Sequence, residues 1–279
     1  MILHTIDTGL FKLDGGAMFG VVPKTIWQKS NPADENNMCT WAMRCLLIED
    51  GDRLILIDTG IGDKQNEKFF SHYYLHGDDT LEKSLAAKGF NKNDITDVFL
   101  THLHFDHCGG AIVRRNEQLH PAFKNAIYWS NEKHWEWAVH PNARESASFL
   151  KENIMPIQES GQLSFIQTEE NIAFSPGFNI GFAYGHTDAM MLPKLTYKDH
   201  TIIYAADLLP STGHIPLPYV MSYDMFPLQT LKEKKEFLTE AAAENYILYL
   251  EHDPINECCT VQQTEKGIKL KDTFKLEDL

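Results

Sequence analysis

Thr101-His102-Leu103-His104-Phe105-Asp106-His107-Cys108-Gly109-Gly110 packs four potential metal ligands, His102, His104, Asp106 and His107, into six positions. The stretch follows Asp97-Val98-Phe99-Leu100, an apolar run that reads as the end of a buried strand. A strand sends alternate side chains to the same face, so His102 and His104 can reach one point together. Asp106 and His107 lie where the strand gives way to a Gly-Gly turn, and can face a neighbouring point. Two imidazoles beside an imidazole–carboxylate pair make the start of a two-metal hydrolytic site. A polar loop of satisfied histidines is the plainer alternative, and it suits a lone histidine better than this packing of ligands.

A dinuclear centre needs further donors. Tyr184-Gly185-His186-Thr187, Ala205-Ala206-Asp207 and Glu251-His252-Asp253 each follow an apolar run, where a strand would deliver them to an edge. Singly, a strand-end His is more often a satisfied edge residue and a strand-end Asp a turn cap. Together they add two imidazoles and one carboxylate, the missing donor types for two borderline-soft cations. In the proposed geometry one metal takes His102, His104 and His186, and the other takes Asp106, His107 and His252. Asp207 bridges them, since a carboxylate offers two oxygens. Asp58, at another strand end, is placed to orient a ligand histidine, with turn capping as its alternative. The remaining histidines, His4, His72, His76, His120, His134, His140, His200 and His214, read as surface or packing residues. Trp129, Trp135 and Trp137 read as packing, with a pocket wall as the alternative.

The 279-residue chain is long enough to bury a sizeable core, and its 43% hydrophobic and 23% charged content is that of a globular protein. A formal charge of −14 argues against nucleic acid bound through a broad basic face. No apolar run approaches a membrane span, and the N-terminus does not read as a signal peptide. The five cysteines, Cys39, Cys45, Cys108, Cys258 and Cys259, are odd in number and lack C-x-x-C spacing, so reduced thiols in a cytoplasmic protein are expected. Cys108 reads as a small packing residue.

Asp14 to Gly20 is expected as a turn between early strands, and residues 28–38 as a polar loop that could pack on a second subunit in a homodimer. Cys39 to Ile48 and Arg53 to Ile57 predict a strand pair joined by Glu49-Asp50-Gly51-Asp52. Thr80 to Lys88 predicts an amphipathic helix with Leu81 and Leu85 on one face. After the ligand cluster, a strand is expected at Ala126–Trp129 and helices at Glu132–Val139 and Ala143–Asn153, split by Pro141. Residues 162–184 hold strand-like runs with Gly and Pro turns. Thr201–Ala206, Tyr246–Leu250 and Gly267–Phe274 predict strands, with a helix over Leu231–Glu244. This alternation fits layered α/β architecture, and no linker marks a boundary within a single domain, 1–279.

With these positions assembled, the chain resembles the metallo-β-lactamase superfamily. His102 to His107 stand as H-x-H-x-D-H, followed in the family's order by His186, Asp207 and His252. The resemblance implies a four-layer αβ/βα sandwich with the metals at one edge of two sheets, and a hydrolase acting through a metal-bridging hydroxide. Classical zinc β-lactamases carry cysteine where Asp207 stands, which points away from antibiotic hydrolysis. Glyoxalase II enzymes share the ligand set but typically carry a helical domain after it, where only a short tail follows His252. Asp14-Gly15-Gly16-Ala17-Met18-Phe19-Gly20 and Leu56-Ile57-Asp58-Thr59-Gly60 look most like the YtnP-type lactonase-like proteins, near the N-acyl-homoserine lactonases and the methyl parathion hydrolase group. Two positions depart from the pattern. Many members continue Gly-His-Thr with Pro-Gly-His, where this chain has Asp188-Ala189-Met190. Some lactonases carry a tyrosine three residues after the bridging aspartate, where Pro210 stands here.

The resemblance therefore implies two divalent cations, zinc by default and iron, manganese or cobalt as alternatives. It implies a small-molecule lactone or ester substrate, with a phosphotriester as the runner-up. A metal-binding sensor without catalysis is the alternative of another class. Asp106 is the candidate to take up a proton or relay it to a leaving alkoxide. Met18, Phe19, Phe105 and Met190 are the candidate substrate wall, with core packing as their alternative.

Overall fold

The computed structural model describes residues 1–168 and 172–279. It divides into two compact units, one made of Met1–Leu10 and Met43–Glu169, the other of Phe11–Ala42 and Glu170–Leu279. Each unit is drawn from two stretches of chain, which is why no linker is visible in the sequence.

The first unit is built on a six-stranded sheet. Its strands are β1 (Ile2–Asp14), β2 (Met38–Asp50), β3 (Arg53–Ile57) and β4 (Asp97–Phe99), with a separate hairpin of β5 (Ile112–Arg115) and β6 (Gln118–Pro121), then β7 (Ile127–Asn131) and β8 (Leu163–Ile166). The sheet order is β1-β2-β3-β4-β7-β8. β2 and β3 form the expected antiparallel pair, with Leu46 opposite Ile57, whereas β3, β4, β7 and β8 run parallel. Parallel strands are covered on both faces, and Leu54-Ile55-Leu56-Ile57 is accordingly buried throughout. The helix Leu81–Ala87 places Leu81 and Leu85 in that core, and the Thr80 hydroxyl caps it by accepting from Lys83 N.

Glu132–Val139 is helical as expected, but the next helix runs over Lys151–Glu159 rather than Ala143–Asn153. The Asn142 carboxamide oxygen accepts from the amides of Arg144 and Glu145, and this side-chain turn holds the chain out of a helix there.

The second unit carries a seven-stranded sheet of β9 (Ile172–Ser175), β10 (Phe178–Ala183), β11 (Met190–Tyr197), β12 (His200–Tyr204), β13 (Ile247–Tyr249), β14 (Cys258–Thr264) and β15 (Gly267–Phe274), in the order β15-β14-β13-β12-β11-β10-β9. Among the described strands of this sheet only β12 and β13 pair in parallel, and the helix Pro227–Glu244 makes the crossover between them. Part of the stretch read as strand-like between 162 and 184, residues 169–171, lies outside the described residues. Asp14 to Gly20, expected as a turn, contains a short helix, Gly15–Phe19, because the Asp14 carboxylate accepts from Ala17 N at 2.8 Å and caps it. Among the described residues no helix is long and apolar enough to cross a membrane. All five cysteines are buried free thiols.

Candidate metal centre

In the first unit the ligand stretch leaves β4 and is held from below by Asp58, the residue after β3. Asp58 has φ of +57°, a conformation unusual for a residue with a side chain. Its carboxylate accepts from Thr101 N at 2.8 Å and from the Thr101 hydroxyl at 2.6 Å, and lies 3.2 Å from Nδ1 of His107. It therefore fixes both the start of the stretch and the His107 ring. The Gly-Gly turn is dictated by close approach. A Cβ on Gly109 would lie 2.1 Å from the Ile61 carbonyl oxygen, and one on Gly110 2.2 Å from that of Thr59.

The histidines crowd together. The ring centroids of His102 and His107 are 3.9 Å apart, and those of His102 and His104 are 4.6 Å apart. Each ring has one nitrogen engaged elsewhere. Nδ1 of His102 lies 3.1 Å from the Thr101 hydroxyl, and Nε2 of His104 lies 2.9 Å from Oε1 of Glu145. Glu145 is itself pinned by the Trp137 indole, which donates to its other oxygen at 2.6 Å. Asp106 is buried beside these rings, its carboxylate 3.8 Å from Nε2 of His107.

In the second unit the candidate donors leave three strands of one sheet, β10, β12 and β13. His186 follows β10, Asp207 follows β12 in a short 3-10 turn, and His252 follows β13. The two oxygens of Asp207 are divided between two imidazoles: Oδ2 is 3.0 Å from Nε2 of His186, and Oδ1 is 3.0 Å from Nε2 of His252. The far side of each ring is anchored. Nδ1 of His186 lies 2.8 Å from Asp224, and Nδ1 of His252 donates to the Ala42 carbonyl at 2.8 Å. A carbonyl only accepts, so this bond sets the His252 proton on Nδ1 and turns Nε2 toward Asp207. Burial pulls the His186 pKa down, but Asp207 and Asp224 more than offset it and push it up to about 10. A bound cation would replace that proton.

Groups of buried His and Asp donors that could hold a metal ion are thus present in both units: His102 with His104 and Asp106 with His107 in one, His186 with Asp207 in the other. A ligand histidine commonly gives its second nitrogen to a carboxylate, carbonyl or hydroxyl that fixes the ring, and all five histidines have that arrangement. The residues present fit divalent cations.

Sequence reasoning missed several supporting residues. Glu145 and Asp224 carry no local signature among 39 acidic residues. His134, read as surface or packing, is buried and accepts from Leu103 N at 2.9 Å, which steadies the loop between His102 and His104. His214, read likewise, is buried and stacked on Phe19 with centroids 4.5 Å apart. Of the candidate wall, Met18, Phe19 and Met190 are almost entirely enclosed, and Phe105 retains 8% of its surface. Phe105 packs against Phe69 and Tyr73, with centroids 5.4 and 4.7 Å away. Trp135 is in the core, and Trp129 donates to Asp97.

The fold and this donor pattern define a class. Residues 44–252 match the model of the metallo-beta-lactamase superfamily, and the chain belongs to it. Its relatives there are hydrolases. It is 27% identical over 230 residues to the N-acyl homoserine lactonase AiiA of Bacillus thuringiensis subsp. kurstaki, covering 78% of this chain and 82% of that protein. It is 25% identical over 252 residues to the N-acyl homoserine lactonase of Bacillus cereus, covering 86% and 88%. A probable metal-dependent hydrolase from Staphylococcus aureus superposes with a TM-score of 0.87 at 27% identity, over 98% of both chains. AidC, a dizinc quorum-quenching lactonase, shares the fold with a TM-score of 0.80 at 22% identity, over 98% of this chain and 95% of that one.

Proposed function

We propose that residues 1–279 form a single hydrolase domain that opens lactones or cleaves related esters with two divalent cations, zinc by default. One cation would be held by His102, His104 and His186, the other by Asp106, His107 and His252, with Asp207 shared. The observation that carries this reading is the Asp207 carboxylate, which presents one oxygen to each of two histidines at 3.0 Å. A carboxylate so divided is suited to bridging. The named activity of the Bacillus relatives supports the lactone class.

Bound divalent cations would supply hydroxide at neutral pH and polarise the substrate oxygen. The chain's own contribution is orientation and proton handling. Asp58, Glu145 and Asp224 hold the rings of His107, His104 and His186 in fixed poses, so the donors need little rearrangement to bind. Asp106, buried next to His107, takes up a proton and returns it to the departing alkoxide. Phe105, the least enclosed of the wall residues, offers apolar surface beside Asp106.

Elemental analysis paired with a substrate panel tests the reading. Two metal ions per chain and turnover of an N-acyl lactone are expected. Turnover of an aryl phosphotriester alone would move the substrate class to phosphotriesters. Two bound metals with no turnover of lactones, esters or phosphotriesters would favour a metal-binding sensor.

A further inference from the structure

Tyr73 stands in the first unit just past the short helix Glu67–Phe70. Its ring packs on Phe105 at 4.7 Å and on Phe69 at 5.0 Å, and Phe105 in turn packs on Phe69 at 5.4 Å. This fixes the ring against the residue between His104 and Asp106. Tyr73 is only partly buried, and among the described residues its hydroxyl has no hydrogen-bond partner. Burial, and next the charge of Asp106, push the phenol up to about 12, so it stays protonated at neutral pH. A tyrosine held by its ring with the hydroxyl open can offer that hydroxyl to an incoming ligand.

We propose that Tyr73 is a catalytic residue whose hydroxyl donates a hydrogen bond to the leaving oxygen of the substrate, beside Asp106. The inference rests on the hydrolase reading above. In the step, water adds to the acyl carbon and gives a proton to Asp106; the acyl carbon–oxygen bond then breaks, the electron pair goes to the leaving oxygen, and Asp106 returns the proton to it. Tyr73 keeps its own proton throughout and stabilises the charge while it develops. It thereby brings a phenol to the reacting atoms from a segment unrelated to position 210, where this chain has proline.

The test compares wild type with Tyr73→Phe and Tyr73→Ala on two lactones. A simple γ-lactone departs as an alkoxide and needs that stabilisation; dihydrocoumarin departs as a phenoxide and needs it far less. In Y73F, kcat on the γ-lactone is expected to fall about tenfold to a hundredfold, the range for a lost hydrogen bond to a charged oxygen, with less than about a threefold fall on dihydrocoumarin. Metal content by elemental analysis should be unchanged in Y73F. No loss in Y73F alongside a loss in Y73A would make Tyr73 a packing residue and overturn the proposal. Equal losses on both lactones, or a loss that tracks metal content, would overturn it too. Wild type that binds two metals and hydrolyses neither lactone would bring down the lactone reading and this proposal together, whereas active wild type with unaltered Y73F removes Tyr73 alone.

Discussion

Asp224 lies 2.8 Å from Nδ1 of His186, across 38 residues of sequence, and both side chains are almost fully buried. The pair is an anchored imidazole of the kind found behind bound metals. Asp224→Asn keeps the size and loses the charge that draws the Nδ1 proton. Metal affinity is expected to fall about tenfold to a hundredfold. Competition with a chelator of known affinity measures it, and unchanged affinity would make Asp224 a bystander.

Gly110 tests the close approach behind the ligand stretch. A Cβ there would lie 2.2 Å from the Thr59 carbonyl oxygen, a backbone atom that cannot rotate away. Thr59 also donates from its amide and its hydroxyl to the His107 carbonyl, so moving it disturbs a candidate ligand directly. Gly110→Ala should therefore lose about 1–3 kcal/mol of stability and weaken metal binding. Urea melts with and without added zinc would show both effects. Gly51→Ala is the contrast, because nothing lies within 4 Å of a Cβ there and only the strain of φ at +64° remains.

The candidate ligand cluster was legible because its information is local: His102 to His107 fall within six positions just past a strand, but the strand ends at Phe99 and a short helix, Phe105–Cys108, rather than an alternating backbone, carries Asp106 and His107. His186, Asp207 and His252 were legible for the same reason, each following an apolar run. What fixes these residues was not. Glu145 reaches His104 from 41 residues away in sequence, and its position depends on the turn that Asn142 imposes. That same turn displaced the expected helix from Ala143–Asn153 to Lys151–Glu159. Side-chain capping also explains the helix at Gly15–Phe19, where Gly and Asp alone suggest a turn. Long-range partners leave no periodic trace, so acidic residues at such sites look like any others.

Lys234 is buried in the helix Pro227–Glu244, and its ammonium donates to the carbonyls of His214, Pro216 and Tyr219 at 3.0, 3.2 and 2.8 Å. Burial lowers its pKa to about 8, which leaves it charged at neutral pH. It gathers the segment that leads to Asp224. Lys234→Met would leave three carbonyls short of a donor in a dry setting, each costing about 1–3 kcal/mol unless the segment opens to water. Loss of about 3 kcal/mol is expected by urea denaturation, with weaker metal binding as Asp224 loosens. Lys234→Arg should not restore it, because a planar fork cannot replace three donors on one atom.

His214 gives the pH dependence. Burial lowers its pKa to about 3, against a lesser opposing pull from the Met18 carbonyl, Asp207 and Asp253. Its Nε2 lies 2.9 Å from that carbonyl and its Nδ1 2.8 Å from the Ser211 hydroxyl, so the neutral ring is bonded at both ends. The unfolded chain takes up a proton at this histidine near pH 6.5, where the folded chain does not. Between that value and about 3 the unfolded state binds one more proton, so stability falls as pH falls; above 6.5 the contribution is complete and flat. From pH 7.5 to pH 5.5 this one ring should remove about 1.4 kcal/mol. His214→Phe keeps the stack on Phe19 and cannot titrate. Its absolute stability will drop with the lost hydrogen bonds, but its loss between those two pH values should be smaller than the wild type's by about 1.4 kcal/mol. Equal slopes in the two urea series would mean that the buried ring takes up its proton in the folded chain as readily as in the unfolded one.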